Sequence, residues 1–174
     1  MKKILIISIM TLTILTGCGN NEVDKEYEAK VGEIQDQVVS TKEIPDFTIS
    51  IMGLKDDTLT QEDIKDLTVY DFIVDVPIYD LDPSSEVYRE KWTGIKISDV
   101  LNKKGITDYD SLDFKSTGNI TVTYTKEEVS DKLYLVFYRN DIALSETEDT
   151  AVMLLAANLK TRYWVPSLVR IDVK

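Results

Sequence analysis

The chain has 174 residues, with 20 Lys and Arg against 31 Asp and Glu, a formal charge of −11, no His and one Cys. Without His there is no Ser-His-Asp or Cys-His catalysis, no His-ligated zinc or haem, and no imidazole titrating near neutrality. With one Cys there is no internal disulfide, Cys-based zinc site, iron–sulfur cluster or CxxC couple. At 43% hydrophobic and 29% charged residues the composition is that of a folded domain, and its acidity argues against non-specific binding to nucleic acid or anionic headgroups.

In chain order, Lys2 and Lys3 precede an apolar stretch from Ile4 to Leu15, broken only by Ser8, Thr11 and Thr13. Such a stretch reaches roughly 18 Å as a helix, short of a hydrocarbon core of about 30 Å, so it reads as a secretory segment and not a membrane span. It ends in Leu15-Thr16-Gly17-Cys18, which resembles the lipobox of bacterial lipoproteins. That resemblance implies cleavage after residue 17, diacylation of Cys18 and a place on the extracytoplasmic face of the cell membrane. Two acyl chains, at about 0.8 kcal/mol per buried CH₂, anchor a protein stably where one would be marginal. Loss of residues 1–17 removes two Lys and no acid, leaving 18 basic and 31 acidic residues and a charge of −13.

Residues 18–44 are polar and acidic, with Val23, Tyr27, Val31, Ile34 and Val38 at helical spacing. Gly32 weakens a helix there and no cap is evident, so a frayed helix stays open while an acidic tether is the favoured reading. From residue 45 to 174 the pattern is that of one compact domain. Phe47, Ile49 and Ile51 alternate as in a strand that stops at Gly53. Thr60 and Asp63 form a capping box for a short helix burying Ile64 and Leu67. Phe72 to Ile78 alternates as a strand whose Pro77 marks an edge or an end, and residues 80–91 read as a polar loop. Ser98 is expected to cap a helix over residues 99–104, which Gly105 ends. A hairpin follows, with strands around Leu112–Phe114 and Ile120–Tyr124 joined at Gly118-Asn119. Thr125 and Glu128 make a second capping box. Leu133–Tyr138 alternates, Asn140-Asp141 turns, Ala151–Ala157 suits a buried strand, and Tyr163–Val173 a last one. The sum is six or seven strands with three short helices, an α+β class built on a mixed sheet.

Lys91-Trp92-Thr93-Gly94-Ile95-Lys96-Ile97-Ser98-Asp99-Val100-Leu101, Gly105-Ile106 and Leu112-Asp113-Phe114-Lys115-Ser116 occur in that order. Together they resemble the signature of the sulfite-oxidase-like oxidoreductase molybdopterin-binding domain. Tyr163-Trp164-Val165-Pro166 with Val169–Val173 is similar to its ending, and Gly53-Leu54 with Leu59–Ile64 to its opening. The resemblance implies a sulfite-oxidase molybdopterin-domain-like fold over residues 46–174. Family enzymes hold molybdenum through a Cys after the strand matching Phe72–Ile78, where this chain reads Val76-Pro77-Ile78-Tyr79-Asp80. Nor has it a His for the pterin phosphate, and the family's Asp-Gly-Tyr reads Thr117-Gly118-Asn119. A soft thiolate is the protein's handle on such a metal, so the expectation is that no cofactor is bound and that the domain is not an enzyme. A molybdopterin-dependent oxidoreductase or electron-transfer component lacking the Cys ligand is the alternative.

The remaining clusters carry less. Asp56-Asp57, Glu127-Glu128 and Glu146, Glu148 and Asp149 lack EF-hand spacing and read as solvated turns, and most Tyr read as strand packing. Lys160-Thr161-Arg162-Tyr163-Trp164 is the basic–aromatic cluster of an acidic chain. It falls where the family's pocket loop would be, so Arg162, Tyr163 and Trp164, with Asn119, are the candidate ligand-binding residues. The expected partners are the membrane, through the anchor, and a small ligand or envelope protein, with no nucleic acid. No metal ligand is expected.

Overall fold

A computed structural model describes residues 34–53, 57–77, 87–129, 132–157 and 163–174. Residues 1–17, read above as a leader, Cys18 and residues 19–33, read as part of a tether, lie outside the described residues, as do Arg162 and the segment 78–80 after the fourth strand.

Two mixed-composition sheets share one core. The first has six strands: β1 (Ile34–Val39), β4 (Tyr70–Pro77), β5 (Val87–Lys96), β8 (Leu133–Arg139) and β10 (Met153–Ala156) in that spatial order, with β9 (Ile142–Ala143) on β8. Its pairs are antiparallel. The second has five, in the order β3 (Asp57–Thr60), β2 (Thr48–Met52), β11 (Leu168–Val173), β6 (Ser111–Ser116) and β7 (Thr121–Thr125). Here β11 runs parallel to β2 and antiparallel to β6. Four short helices, α1 (Gln61–Ile64), α2 (Ile97–Lys103), α3 (Lys126–Val129) and α4 (Leu144–Thr147), fill the connections. The class is α+β, as expected. A single buried cluster draws on both sheets, from Ile49 and Ile51 on β2 and Phe114 on β6 to Phe72 on β4 and Leu135 on β8.

Local rules account for much of this. The Asp63 carboxylate accepts from both the backbone N–H and the hydroxyl of Thr60, each at 2.8 Å, and that capping box forms; at the second, Glu128 Oε2 accepts from Thr125 N–H at 2.8 Å, one half of the expected box. The β6–β7 turn takes Asn119 at φ 62°, and the β8–β9 turn takes Asn140 and Asp141 at 51° and 68°, the left-handed pair a two-residue hairpin needs. Gly105, at φ 72°, follows the end of α2.

Five expectations need correcting. The stretch read as a tether includes β1, which pairs with β4 over Ile34–Val39, and Ile44 is buried. Pairing there runs through the backbone of an edge strand whose residues 36–39 are exposed, so no apolar alternation announces it. The loop expected over 80–91 is overturned from Val87 on, where β5 begins, and its residues up to 86 lie outside the described residues. Helix α2 starts at Ile97 with Lys96 as N-cap, which puts Ser98 in its first turn instead of at its cap. The final strand begins at Leu168; residues 163–167 instead make a bridge, Val165 to Leu154. The described residues hold eleven strands and four helices, more than the six or seven and three counted from periodicity, because two- and four-residue elements show no period.

Strand β8 is buried from Leu133 to Phe137, on both faces. It lies between β5 and β10 in the sheet, and α2 packs against β5 and β8. Close approach of β5 to β8 rests on Gly94, where a Cβ would sit 2.4 Å from the Leu135 carbonyl oxygen and 2.8 Å from Val136 Cγ1. Gly94→Ala is therefore expected to cost about 3 kcal/mol through forced backbone displacement, read as a lowered denaturation midpoint with unchanged slope. A variant within about 0.5 kcal/mol of wild type would refute this account of the β5–β8 contact.

Candidate functional site

Alternation on β4 and β5 separates two chemistries. Phe72 and Val74 of β4 point into the core, while Asp71 and Asp75 point to the other face. Asp71 lies opposite Thr93, whose hydroxyl donates to Asp71 Oδ1 at 2.7 Å. Lys91 Nζ lies 3.2 Å from Asp71 Oδ2 and 2.8 Å from Asp141 Oδ1. Lys42, from the segment joining β1 to β2, donates to Thr93 Oγ1 at 3.1 Å and Asp141 Oδ1 at 2.5 Å and stands 5.0 Å over the Tyr138 ring. Two ammonium and two carboxylate groups thus close a neutral cluster across β4, β5 and the β8–β9 turn. Hydrogen bonds from Lys42 and then Lys91 hold Asp141 down to about 2. At Asp71 burial pushes the carboxyl up, but hydrogen bonds from Thr93, Ser40 and Lys91 outweigh it and the net shift is downward.

The core side of β5 carries a second group. Glu90 is buried, with 3% of its side chain exposed, and accepts two hydrogen bonds from the Arg139 guanidinium, one from Nε at 2.9 Å. Removing one member of such a pair costs about 3–5 kcal/mol, because it leaves a charge stranded. Arg139 also reaches Glu148 at 3.5 Å and lies 5.5 Å from the Trp92 ring centroid. Trp92 meets Trp164 edge to face, with centroids 5.6 Å apart and planes at 87°. The two indoles differ in one respect. Trp164 Nε1 donates to the Ala156 carbonyl at 3.0 Å, whereas Trp92 Nε1 is buried with no hydrogen-bond partner among the described residues. A donor left so costs about 1–3 kcal/mol.

The candidate residues from the sequence are distributed as follows. Asn119 is exposed at the β6–β7 turn, where Ser116 Oγ accepts from the N–H groups of Gly118 and Ile120, both at 3.1 Å. That turn touches the 163–167 segment through Thr117 N–H to Ser167 O at 3.2 Å. Tyr163 is 36% exposed, and its carbonyl accepts from the buried Tyr124 hydroxyl. Trp164 is 8% exposed, so it packs in the core beside its neighbour's exposed ring. Cys18 and Arg162 lie outside the described residues. Trp92, Glu90 and Arg139 were not singled out by sequence: 47 positions separate Trp92 from Arg139, and only strand register brings them opposite one another.

Two shallow grooves flank the β1–β2 connection. One, of about 420 Å³, is lined by Lys42, Glu43, Ile44, Gln61, Lys65 and Val69. The other, of about 410 Å³, lies between Asp46–Thr48 and Thr60–Glu62. Among the described residues no three His, Cys, Asp or Glu gather so as to hold a metal ion, and no helix is long and apolar enough to cross a membrane.

No family model matches the chain, and no curated protein does. Among solved structures it is similar to the sulfane dehydrogenase SoxCD from Paracoccus pantotrophus, with a TM-score of 0.61 at 17% identity over 78% of this chain. The match covers 39% of the SoxCD chain, so this protein spans about two fifths of that length. At that identity the likeness is one of fold, and it agrees with the α+β, sulfite-oxidase molybdopterin-domain-like class expected from the sequence.

The lowered carboxyls set an acid limit. Lys174 and Thr123 hold Asp113 below its ordinary value, as the cations hold Asp71 and Asp141 below theirs. A carboxyl lowered in the folded state contributes stability above its unfolded pKa of about 4, lost as pH falls through the folded value. With no His in the chain, Tm is expected to stay level from about pH 8 to 5 and to fall below about pH 4. Calorimetry across that range checks it, and a decline between pH 7 and 5 would contradict the assignment.

Proposed function

We propose that this protein is a lipoprotein held by diacylated Cys18 on the extracytoplasmic face of the membrane, where a domain of molybdopterin-domain shape serves as a non-catalytic binding module. Its ligand is a small molecule or another envelope protein. The observation that carries the reading is a mismatch between fold and donors. The fold is shared with SoxCD, yet the sole thiol is Cys18, ahead of the domain, and there is no imidazole.

Tested against the residues present, a molybdenum–pterin group does not fit. Strand β4 ends at Pro77, and no Cys follows it anywhere in the chain. Among the described residues, several cations suited to a phosphate are engaged within the fold: Arg139 with Glu90, Lys42 and Lys91 with Asp141, and Arg170 with Asp172. No redox step is derived for this domain. What supports binding is the corner at β5, where a part-exposed Arg139 guanidinium lies by the Trp92 ring, which meets Trp164 edge to face. The oxidoreductase alternative draws on the ordered family-like motifs and on the SoxCD likeness, and metal content separates the two.

Two measurements test the proposal. Cys18→Ser is expected to abolish acyl labelling and to leave unprocessed precursor or release protein from the membrane fraction; labelling that persisted would refute the anchor. Protein made in a host competent for molybdenum cofactor assembly is expected to carry less than about a tenth of an equivalent of molybdenum, for want of a soft ligand. Near-stoichiometric metal would overturn the binding-module reading in favour of the oxidoreductase.

A further inference from the structure

We propose that residues 34–43, strand β1 and the strap that follows it, form a unit that opens from the domain as one piece, with Lys42 as its latch and Ile44 as its hinge. The proposal stands whether or not Cys18 is lipidated.

Four observations converge on it. First, β1 buries little. Ile34 packs part-buried against the core, but residues 36–39 are exposed, Val38 by 56% and Val39 by 70%, so apolar burial holds only the start of the strand. Second, its pairing is interrupted. Among the described strands β1 pairs with β4 alone, and the register shifts between Gln35 and Val38, where Asp36 takes φ 50°. A break of this kind removes ladder bonds and bends the strand from its neighbour. Third, the strap is tied by polar contacts alone until it reaches the core. Ser40 N–H donates to Val69 O at 2.8 Å, Lys42 bonds Thr93 and Asp141, and Tyr138 Oη donates to Glu43 O at 2.9 Å. Burial begins at Ile44, 7% exposed, and Phe47, which stacks on Phe137 with centroids 5.7 Å apart. Fourth, the connection is under-packed. The two grooves lie along it, against α1, which leaves room for it to shift.

The latch is electrostatic and reaches solvent. Asp141, its main acceptor, has 58% of its side chain exposed, whereas the Lys42 side chain is 22% exposed. Lys91 binds the same Asp141 oxygen, so it keeps that carboxylate in place when Lys42 leaves. Segments with few apolar contacts and solvent-exposed hydrogen bonds open at lower free energy than the core around them. Opening at Ile44 would bare the outer edge of β4 and the Asp71–Thr93 pair while leaving the β4–β5–β8 core intact.

Hydrogen exchange by mass spectrometry on the full-length wild-type protein tests this. Amides of residues 34–43 are expected to exchange faster than those of 133–137, and raising ionic strength to about 1 M should accelerate the first set selectively by screening the latch. Lys42→Met, which keeps an aliphatic stem over Tyr138, is expected to speed exchange in residues 34–43 about fivefold with 133–137 unchanged. Exchange of both segments at one common rate, or an equal response of both to salt and to the substitution, would overturn the proposal. Should Lys42→Met fail to fold, the salt series on the wild-type protein decides alone.

Discussion

Strand β5 can lie between β4 and β8 only because residue 94 has no side chain, and nearly every feature of the first sheet follows from that contact. The approach of β5 to the Leu135 carbonyl brings a register shift between Thr93 and Gly94. Before the shift, Glu90, Lys91, Trp92 and Thr93 alternate between the core and the opposite face; after it, Ile95 enters the core. A β-bulge re-aims side chains without ending a strand. Here it places Trp92 opposite Arg139 and Thr93 opposite Tyr138. The charged cluster around Asp71 and the indole corner around Trp92 are therefore two faces of one strand.

An acidic chain of this size has to manage its own repulsion, and it does so locally. Asp57 and Asp63 share Lys104; Asp71 and Asp141 share Lys91; Asp172 draws on Lys115 and Arg170. Lys104 and Lys91 are each placed between carboxylates on different elements, so they tie elements together as well as offsetting charge. Pairs this exposed contribute little singly. Glu90 and Arg139 are the exception, since the carboxylate is removed from water and depends on the guanidinium.

How far the structure was legible in sequence depended on whether the signal was local. Thr60 with Asp63, Gly118-Asn119 and Asn140-Asp141 each act within four residues and are present, and Thr125 with Glu128 keeps one half of its box. The strands with clear alternation, around Ile49, Phe72, Leu112 and Tyr124, were equally plain. Ser98, expected as a cap, sits inside the first turn of its helix, and the larger misreadings depended on partners far along the chain. β1 is held by the backbone of β4, so its exposed Val38 and Val39 look like tether. Lys91 and Trp92 belonged to a family-like motif, but their roles came from Asp71, Asp141 and Arg139 on other strands. Of the candidate site, Tyr163 and Trp164 fall side by side as their adjacency requires. Which indole is satisfied was beyond sequence, because that turns on one carbonyl, Ala156.

The edge-to-face indoles have a further consequence. They are the chain's two Trp residues, so almost all of the protein's ultraviolet emission originates in one buried corner. Their 5.6 Å separation lets excitation pass between them, and the guanidinium over Trp92 bears on the charge redistribution of its excited state. The domain thus carries a built-in optical reporter that is blind to the rest of the molecule. Its colour and lifetime describe the environment of β5 and the segment around Trp164, without a label and without altering a residue.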